Sequence, residues 1–200
     1  MPKDTFFHLK EEKREKIEKA LINEFSKGSL EKASISNIVA EAKIPRGSFY
    51  QYFENKEDAV KYVVYKYSKI EKNKLSDFLE ETNGDIFEAS LKIYDYMVEK
   101  ATDNEKLKLI TNILQELRKN NINIFDKQED EKEREIINKK INQELLKIEE
   151  PDDLEYIMKI LGTITRNIAI ETMKGKVPKE EGRHSLKREI EILKKGMQKM

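Results

Sequence analysis

Apolar residues recur at every third or fourth position along most of this chain, which is the spacing of one buried face of an α-helix. We find no sustained alternation of apolar and polar residues, the mark of a half-buried strand. Phe6 and Phe7 precede the first predicted helix and are expected to pack beneath it. The pattern predicts an all-α protein of about nine helices, over residues 10–27, 34–42, 45–53, 56–79, 86–101, 107–118, 129–148, 151–174 and 185–200.

The stretch from Ser34 to Phe53 predicts two short helices joined by a tight turn. The Ser34 hydroxyl is expected to cap the first helix, whose apolar stripe consists of Ile35, Ile38, Val39 and Ala42. Pro45 fixes φ at the start of the second helix, in which Phe49 and Phe53 form an apolar pair. This second helix is cationic, aromatic and rich in hydroxyls, and residues 42–53 include no acid. The arrangement favours a helix-turn-helix that binds DNA.

The outer face of this pair supplies the candidate DNA contacts. Arg46 is expected to reach guanine or a phosphate, and Gln51 to reach adenine, although both are also ordinary surface residues. The hydroxyls of Tyr50 and Tyr52 suit phosphate, but either ring could instead belong to the core. The full predicted set is Ser34, Ser36, Lys43, Pro45, Arg46, Gly47, Ser48, Tyr50, Gln51, Tyr52 and Lys56.

Composition narrows the possible functions. The 39 basic residues balance 39 acidic ones, so any nucleic-acid contact must come from a local patch. The chain contains no cysteine, its two histidines are far apart, and no glycine-rich phosphate loop is present. We therefore predict no enzyme, no metal site and no cofactor. No long uncharged run is found, so we expect a cytoplasmic protein without a membrane partner.

The run from residue 17 to about residue 66 resembles the DNA-binding domain of the TetR family of transcriptional regulators. Leu21, Phe25 and Gly28 follow the family's first-helix ending, with one position out of register. The family's pattern T-V-x-x-I-A-x-x-A-G-V-S-x-G-T-L-Y-x-Y-F-x-x-K-E then matches SISNIVAEAKIPRGSFYQYFENKE in order and residue class. The resemblance implies a three-helix helix-turn-helix domain over residues 1–55 and a helical effector-binding and dimerisation domain over residues 56–200.

Three positions depart from the family pattern. Lys43 occupies the place of the usual turn glycine, where a positive φ would strain a lysine by roughly 1 kcal/mol. Pro45 replaces a serine that would cap the second helix, and Ser36 replaces a longer polar residue. We therefore expect fewer base contacts from the first helix of the pair.

The resemblance also implies a ligand-responsive repressor that binds a palindromic, double-stranded DNA operator as a homodimer, with an unidentified small-molecule effector. A helical protein-interaction module without sequence-specific DNA binding is the alternative. Aromatic residues at helical spacing are candidates for the effector pocket, although such residues are more often core: Tyr62, Tyr65, Phe87 and Tyr94. The dimer interface is expected from the last two helices, whose apolar faces could instead close the monomer core: Leu154, Ile157, Met158, Leu161, Ile164, Ile168, Leu186, Ile190 and Leu193.

Overall fold

The computed structural model describes residues 2–28, 30–100 and 127–197. Within these ranges there are nine α-helices and no β-strand, which confirms the all-α prediction. The helix predicted over residues 107–118 lies outside the described residues. The helices are α1 (Asp4–Phe7), α2 (Glu11–Ser26), α3 (Ile35–Ala42), α4 (Arg46–Tyr52), α5 (Lys56–Glu81), α6 (Ile86–Lys100), α7 (Lys127–Lys140), α8 (Asp153–Met173) and α9 (Lys179–Met197).

The chain packs as two compact units that divide inside α5, between Lys69 and Ile70. The first unit contains α1 to α4 and the first part of α5. The second contains the rest of α5 and helices α6 to α9. Because α5 contributes side chains to both cores, this division differs from the boundary expected after residue 55, which stays a prediction. Among the described helices, none combines the length and apolar character needed to cross a bilayer.

The core of the first unit lies where α2, α3, α4 and α5 meet. Ile17 and Leu21 on α2, Ile38 on α3 and Phe49 on α4 are all fully buried there. Burying an apolar side chain of this size contributes about 1.5–3 kcal/mol. This packing therefore supplies the stability that such short helices lack on their own.

Helix α1 was not predicted from the sequence, because four residues are too few to show a period. Phe6 is fully buried, with ring centroids 5.0 Å from both Phe53 and Tyr62. The Phe7 ring is 48% exposed and lies edge-on to those of Phe6 and Tyr62, with centroids 5.8 and 6.3 Å away. Phe6 therefore belongs, as expected, to the core that also contains Ile17 and Leu21 of α2. Phe7 lies beside α2 residues in an open cleft and is only partly covered.

The second unit is built on α6, α8 and α9. Tyr94 on α6 is fully buried, and its hydroxyl lies 3.0 Å from Thr172 Oγ1 and 2.9 Å from the Lys179 carbonyl. Gly182 packs directly against this contact, since a Cβ there would lie 2.4 Å from the Tyr94 hydroxyl. The sequence placed the start of the last helix at Ser185, which is wrong. Helix α9 begins six residues earlier, because Gly182 is a packing position rather than a break.

Helix α7 ends at Lys140, so the prediction that this helix continues to Ile148 is wrong. The Asn142 N–H donates to the Gly84 carbonyl at 3.0 Å, and the Asn142 side chain accepts from the Glu144 N–H at 3.1 Å. Gly84 has φ +81°, and a Cβ there would lie 2.5 Å from the Asn142 nitrogen. A close backbone approach therefore replaces the last two predicted turns.

Candidate nucleic-acid interface

The turn between α3 and α4 takes its shape from a single left-handed residue. Lys43 has φ 54° and ψ 46°, a conformation that costs a residue with a Cβ about 1–2 kcal/mol. The N–H groups of Lys43 and Ile44 donate to the carbonyls of Ala40 and Val39 at 3.3 and 3.0 Å. These bonds close the end of α3, and Pro45, with φ −60°, is the residue immediately before α4. The positive φ that would strain a lysine at the position of the family's glycine is therefore present.

Helix α3 is held at its start by a buried carboxylate from α2. Glu24 is 4% exposed, and its Oε1 accepts from the Ser34 N–H at 2.8 Å and from Asn37 Nδ2 at 2.9 Å. Its Oε2 lies 2.9 Å from Lys27 Nζ. Burial alone would raise the pKa of Glu24, but the hydrogen bonds from Lys27, Ser34 and Asn37 outweigh it and lower the pKa. The charged form is thus the stable one at the positive end of α3.

This contact corrects the prediction for the start of α3. The Ser34 hydroxyl caps no backbone group among the described residues, and only its N–H takes part, as a donor to Glu24. The sequence did contain a signal for this. Glu24 lies on the apolar stripe of α2, four residues after Ala20 and seven after Ile17. A charged residue on a buried stripe indicates a buried partner.

The Lys56 side chain is fully hydrogen-bonded within the first unit. Its ammonium donates to the carbonyls of Leu30, Glu31 and Ala33 at 3.1, 3.1 and 2.9 Å. These three bonds use the donors of a lysine fully. The N–H of Asp58 donates to Asn55 Oδ1 at 2.8 Å, so the Asn55 side chain caps the first turn of α5. Lys56 therefore anchors the start of α5, and its predicted phosphate contact stays a prediction.

Helix α4 buries one side and exposes the other. Phe49 is fully buried and Tyr52 is 5% exposed, with its ring 5.9 Å from that of Phe6. Tyr50 is 43% exposed, and Arg46 Nη1 donates to Ser36 Oγ on α3 at 2.7 Å. The hydrogen bond ties the exposed faces of α3 and α4 together. Of the predicted DNA-contact set, the exposed residues are Ser36, Lys43, Pro45, Arg46, Gly47, Tyr50 and Gln51, and the half-buried ones are Ser34, Ser48 and Lys56.

The acidic residue that most closely precedes α4 is hydrogen-bonded to α2. Glu41, near the end of α3, accepts from Asn23 Nδ2 of α2 at 2.5 Å. No acidic residue follows until Glu54, after the end of α4. Arg46 and Lys43 thus lie on a surface without a nearby competing carboxylate on α4 or the turn. Such a local cationic face suits a polyanion even though the chain as a whole is neutral.

The predicted pocket residues fall in both units. Tyr62 and Tyr65 belong to the first unit, and Phe87 and Tyr94 are buried in the second. The Tyr62 hydroxyl donates to Glu18 Oε1 at 2.5 Å. Burial raises the pKa of Tyr62, and the Glu18 carboxylate raises it further. Tyr62 and Tyr65 line an open cleft of about 300 Å³ together with Phe7, Glu11, Arg14, Glu15, Glu18, Lys66 and Lys69.

The predicted dimer residues mostly face the core of the second unit. Four of them are at most 5% exposed, namely Ile157, Leu161, Leu186 and Ile190, and the other five are half-buried. The exposed apolar side chains of α8 and α9 are different ones. Tyr156 is 53% exposed, Ile160 is 39% exposed, and Ile192 is 57% exposed. These three side chains add to the apolar surface that the half-buried members of the predicted set leave accessible, and the predicted interface stays a prediction.

Comparisons with known proteins agree with this geometry. A family model described as bacterial regulatory proteins of the tetR family matches residues 17–63. A model of the C-terminal domain of tetracyclin repressor-like proteins matches residues 85–197, more than half of the 200-residue chain. A search of curated proteins found no significant match.

Solved structures show the same fold at low sequence identity. A TetR-family transcriptional regulator from Chloroflexus aurantiacus J-10-FL is 20% identical, with a TM-score of 0.52 and 100% of each chain covered. One from Streptomyces coelicolor is 19% identical, with a TM-score of 0.63 over 91% of this chain and 80% of the other. One from Rhodococcus sp. RHA1 is 15% identical, with a TM-score of 0.53 over 90% and 94%.

The residues matched by the two family models correspond to the two parts of the molecule described above. The first spans α2, the α3–α4 pair with its exposed cationic face, and the beginning of α5. The second spans α6 to α9. The matched helix-turn-helix and the matched C-terminal domain, in this order, show that the chain belongs to the TetR family of transcriptional regulators.

Proposed function

We propose that this regulator represses transcription by binding a palindromic operator as a homodimer, that a small-molecule effector releases it, and that it has no catalytic activity. The observation that carries the proposal is the exposed face of α3 and α4. There, Arg46 is held by Ser36, while Phe49 is fully buried beneath. A short helix supported in this way can enter the major groove, where its first residues meet base edges.

The roles of individual side chains follow from their exposure and chemistry. Arg46 offers a bidentate fork to guanine, and Gln51 offers donor and acceptor to adenine. Lys43 and the Tyr50 hydroxyl suit phosphate oxygens, which position the protein without reading sequence. The burial of Tyr52 favours its alternative role in the core.

A DNA-binding experiment tests this assignment. Duplexes selected by the wild-type protein from a randomised pool would be measured by fluorescence anisotropy, with a scrambled duplex as reference. Arg46→Ala is expected to weaken binding to the selected duplex by about tenfold or more, and affinity should fall steeply with salt. Glu12→Ala is a suitable control, since Glu12 is exposed and pairs with Lys16 on α2. Binding indifferent to sequence and to Arg46 would favour the protein-interaction alternative.

The homodimer is supported by the exposed apolar side chains of α8 and α9. Tyr156 and Ile160 lie one turn apart on α8, and exposed apolar groups at helical spacing suit a second copy. A two-fold dimer would place its recognition helices about 34–36 Å apart, one turn of DNA. Sedimentation velocity should show a dimer for the wild type and a monomer for Ile160→Asp. Ile136→Asp on α7, where the side chain is 56% exposed, is the matched control.

The effector site is proposed in the second unit. Thr165 on α8 is 3% exposed, and its hydroxyl has no hydrogen-bond partner among the described residues. A buried unpaired hydroxyl costs about 1–3 kcal/mol, and a polar group of an effector would satisfy it. Thermal-shift screening of metabolites should identify compounds that stabilise the wild type and lower its affinity for the selected duplex. Thr165→Val is expected to keep DNA binding and lose that response.

A further inference from the structure

The last turn of α4 is contacted by the segment that precedes α2. Lys3 Nζ donates to the Tyr50 carbonyl at 2.8 Å, and the Lys3 backbone N–H donates to the Tyr52 carbonyl at 2.8 Å. Thr5 Oγ1 donates to the Gln51 carbonyl at 2.5 Å. These are contacts across more than forty residues of sequence, at the opposite end of α4 from Arg46.

The contacts account for the carbonyls that any helix leaves unpaired at its end. The last four carbonyls of a helix have no intrahelical partner unless the following chain supplies one. In α4 the Phe53 N–H donates to the Phe49 carbonyl at 2.8 Å. Lys3 and Thr5 donate to the carbonyls of Tyr50, Gln51 and Tyr52. The whole C-terminal turn of α4 is therefore satisfied, and most of it by a distant segment.

A helix of seven residues needs such support. Helices shorter than about 12 residues are marginal in water, because nucleation is unfavourable. Tyr50 and Gln51, whose side chains are proposed to contact DNA, lie in the same last turn of α4 that Lys3 and Thr5 cap. Phe6, fully buried against Tyr52, Phe53 and Tyr62, keeps the segment in place.

We propose that Lys3 and Thr5 are positioning residues for DNA recognition: they cap the end of the recognition helix and hold its DNA-facing side chains in register. The Lys3 ammonium also complements the negative end of the α4 dipole. The inference rests on the proposed DNA-facing role of α4. It adds that specificity depends on a segment outside the helix-turn-helix.

Two pairs of variants separate positioning from folding. Lys3 and Thr5 are both exposed, so their substitution leaves the buried core intact. Thr5→Val removes the hydroxyl at nearly constant shape, and Thr5→Ser retains the donor. Lys3→Met removes the charge and the donors of the side chain, and Lys3→Arg retains them.

The first measurement is amide hydrogen exchange of the free protein. Thr5→Val and Lys3→Met are each expected to speed exchange in the last turn of α4 by about three- to tenfold, with no change in α2. Thr5→Ser and Lys3→Arg should remain close to the wild type. Unchanged exchange in α4 for both disruptive variants would overturn the proposal, whether or not the protein binds DNA.

The second measurement is anisotropy with a duplex selected by the wild type, against a scrambled duplex, over a salt series. Thr5→Val and Lys3→Met should lose about three- to tenfold affinity for the selected duplex only, with an unchanged salt slope. A slope for Lys3→Met reduced by about one, with equal loss on both duplexes, would make Lys3 a phosphate contact and overturn its positioning role. If the wild type selects no duplex, the proposed function fails, while the exchange result still decides whether the segment caps α4.

Discussion

Two different kinds of contact hold the beginning of α3 and the end of α4. At the beginning, one buried carboxylate, Glu24, accepts from Ser34 and Asn37 and pairs with Lys27. At the end, the hydroxyl of Thr5 and the backbone of Lys3 donate to carbonyls of α4. The first contact is ionic and buried, whereas the second is shared among several weaker, exposed bonds.

The difference teaches how a helix-turn-helix can be placed by residues outside it. A buried acceptor concentrates the stabilisation in one side chain, so its loss leaves several donors unpaired at once. A distributed cap loses one bond at a time and depends on an apolar anchor, here Phe6, to bring its donors near. Substitutions at the two ends should therefore differ in size, in pH dependence and in their effect on the turn between them.

The largest effect is expected at the apolar anchor. Phe6→Ala should destabilise the first unit by about 3–5 kcal/mol, since a fully buried ring is removed and a cavity remains. Urea unfolding followed by circular dichroism measures the loss. Phe7→Ala, a substitution of the adjacent and 48% exposed ring, should cost under about 1 kcal/mol. Equal losses for the two variants would show that the N-terminal segment has no single anchor.

A smaller loss is expected at the buried carboxylate. Glu24→Ala should cost about 1–3 kcal/mol, because the N–H of Ser34 and the amide of Asn37 lose their acceptor. Glu24→Gln retains an acceptor and should lose less. Hydrogen exchange should quicken at the start of α3 and leave the end of α4 unchanged. Faster exchange at both ends would mean that the two contacts are coupled rather than separate.

The pH dependence of stability should also distinguish the two ends. The folded-state pKa of Glu24 is lowered, so its contribution is fully present above the ordinary carboxyl pKa of about 4.3 and is lost as the pH falls through the lower folded-state value. The stability difference between the wild type and Glu24→Gln should therefore shrink on acidification below about pH 4. The difference between the wild type and Thr5→Val should stay constant over the same range, since a hydroxyl does not titrate there. Urea unfolding of the wild type and both variants at a series of pH values would measure the two stability differences.

Sequence reasoning succeeded where the signal was local. The α3–turn–α4 pair could be predicted because Pro45, the apolar stripe and the Phe49–Phe53 pair all lie within twenty residues. The bonds from Glu24 to α3 and from Lys3 and Thr5 to α4 could not be predicted in the same way, because they join positions that are 10 to 49 residues apart. Of these contacts, only those of Glu24 were indicated by the sequence, since this acid lies on the buried stripe of α2.

The errors in the second unit have the same origin. Gly182 looks like a helix break in sequence, yet it lies inside α9, where the lack of a side chain leaves space for the Tyr94 hydroxyl. Helix α7 stops early because Gly84, more than fifty residues away, brings its backbone against Asn142. In both cases a tertiary contact decides a helix boundary that local propensity alone would place elsewhere.

The smallest effect is expected at the turn between the two ends. Lys43→Gly should stabilise the first unit by about 0.5–1 kcal/mol, because glycine adopts φ 54° without the strain of a Cβ. Asn83→Gly in the second unit, at φ 52°, is the matched control and should gain less, since asparagine tolerates this conformation better than lysine. If Lys43 contacts phosphate, the more stable variant should bind the selected duplex more weakly, with a salt slope reduced by about one. A stabilised variant with unchanged DNA affinity would show instead that the Lys43 side chain neither stabilises the turn nor contacts DNA. The contacts at the start of α3 and the end of α4 would then be sufficient to position the helix pair.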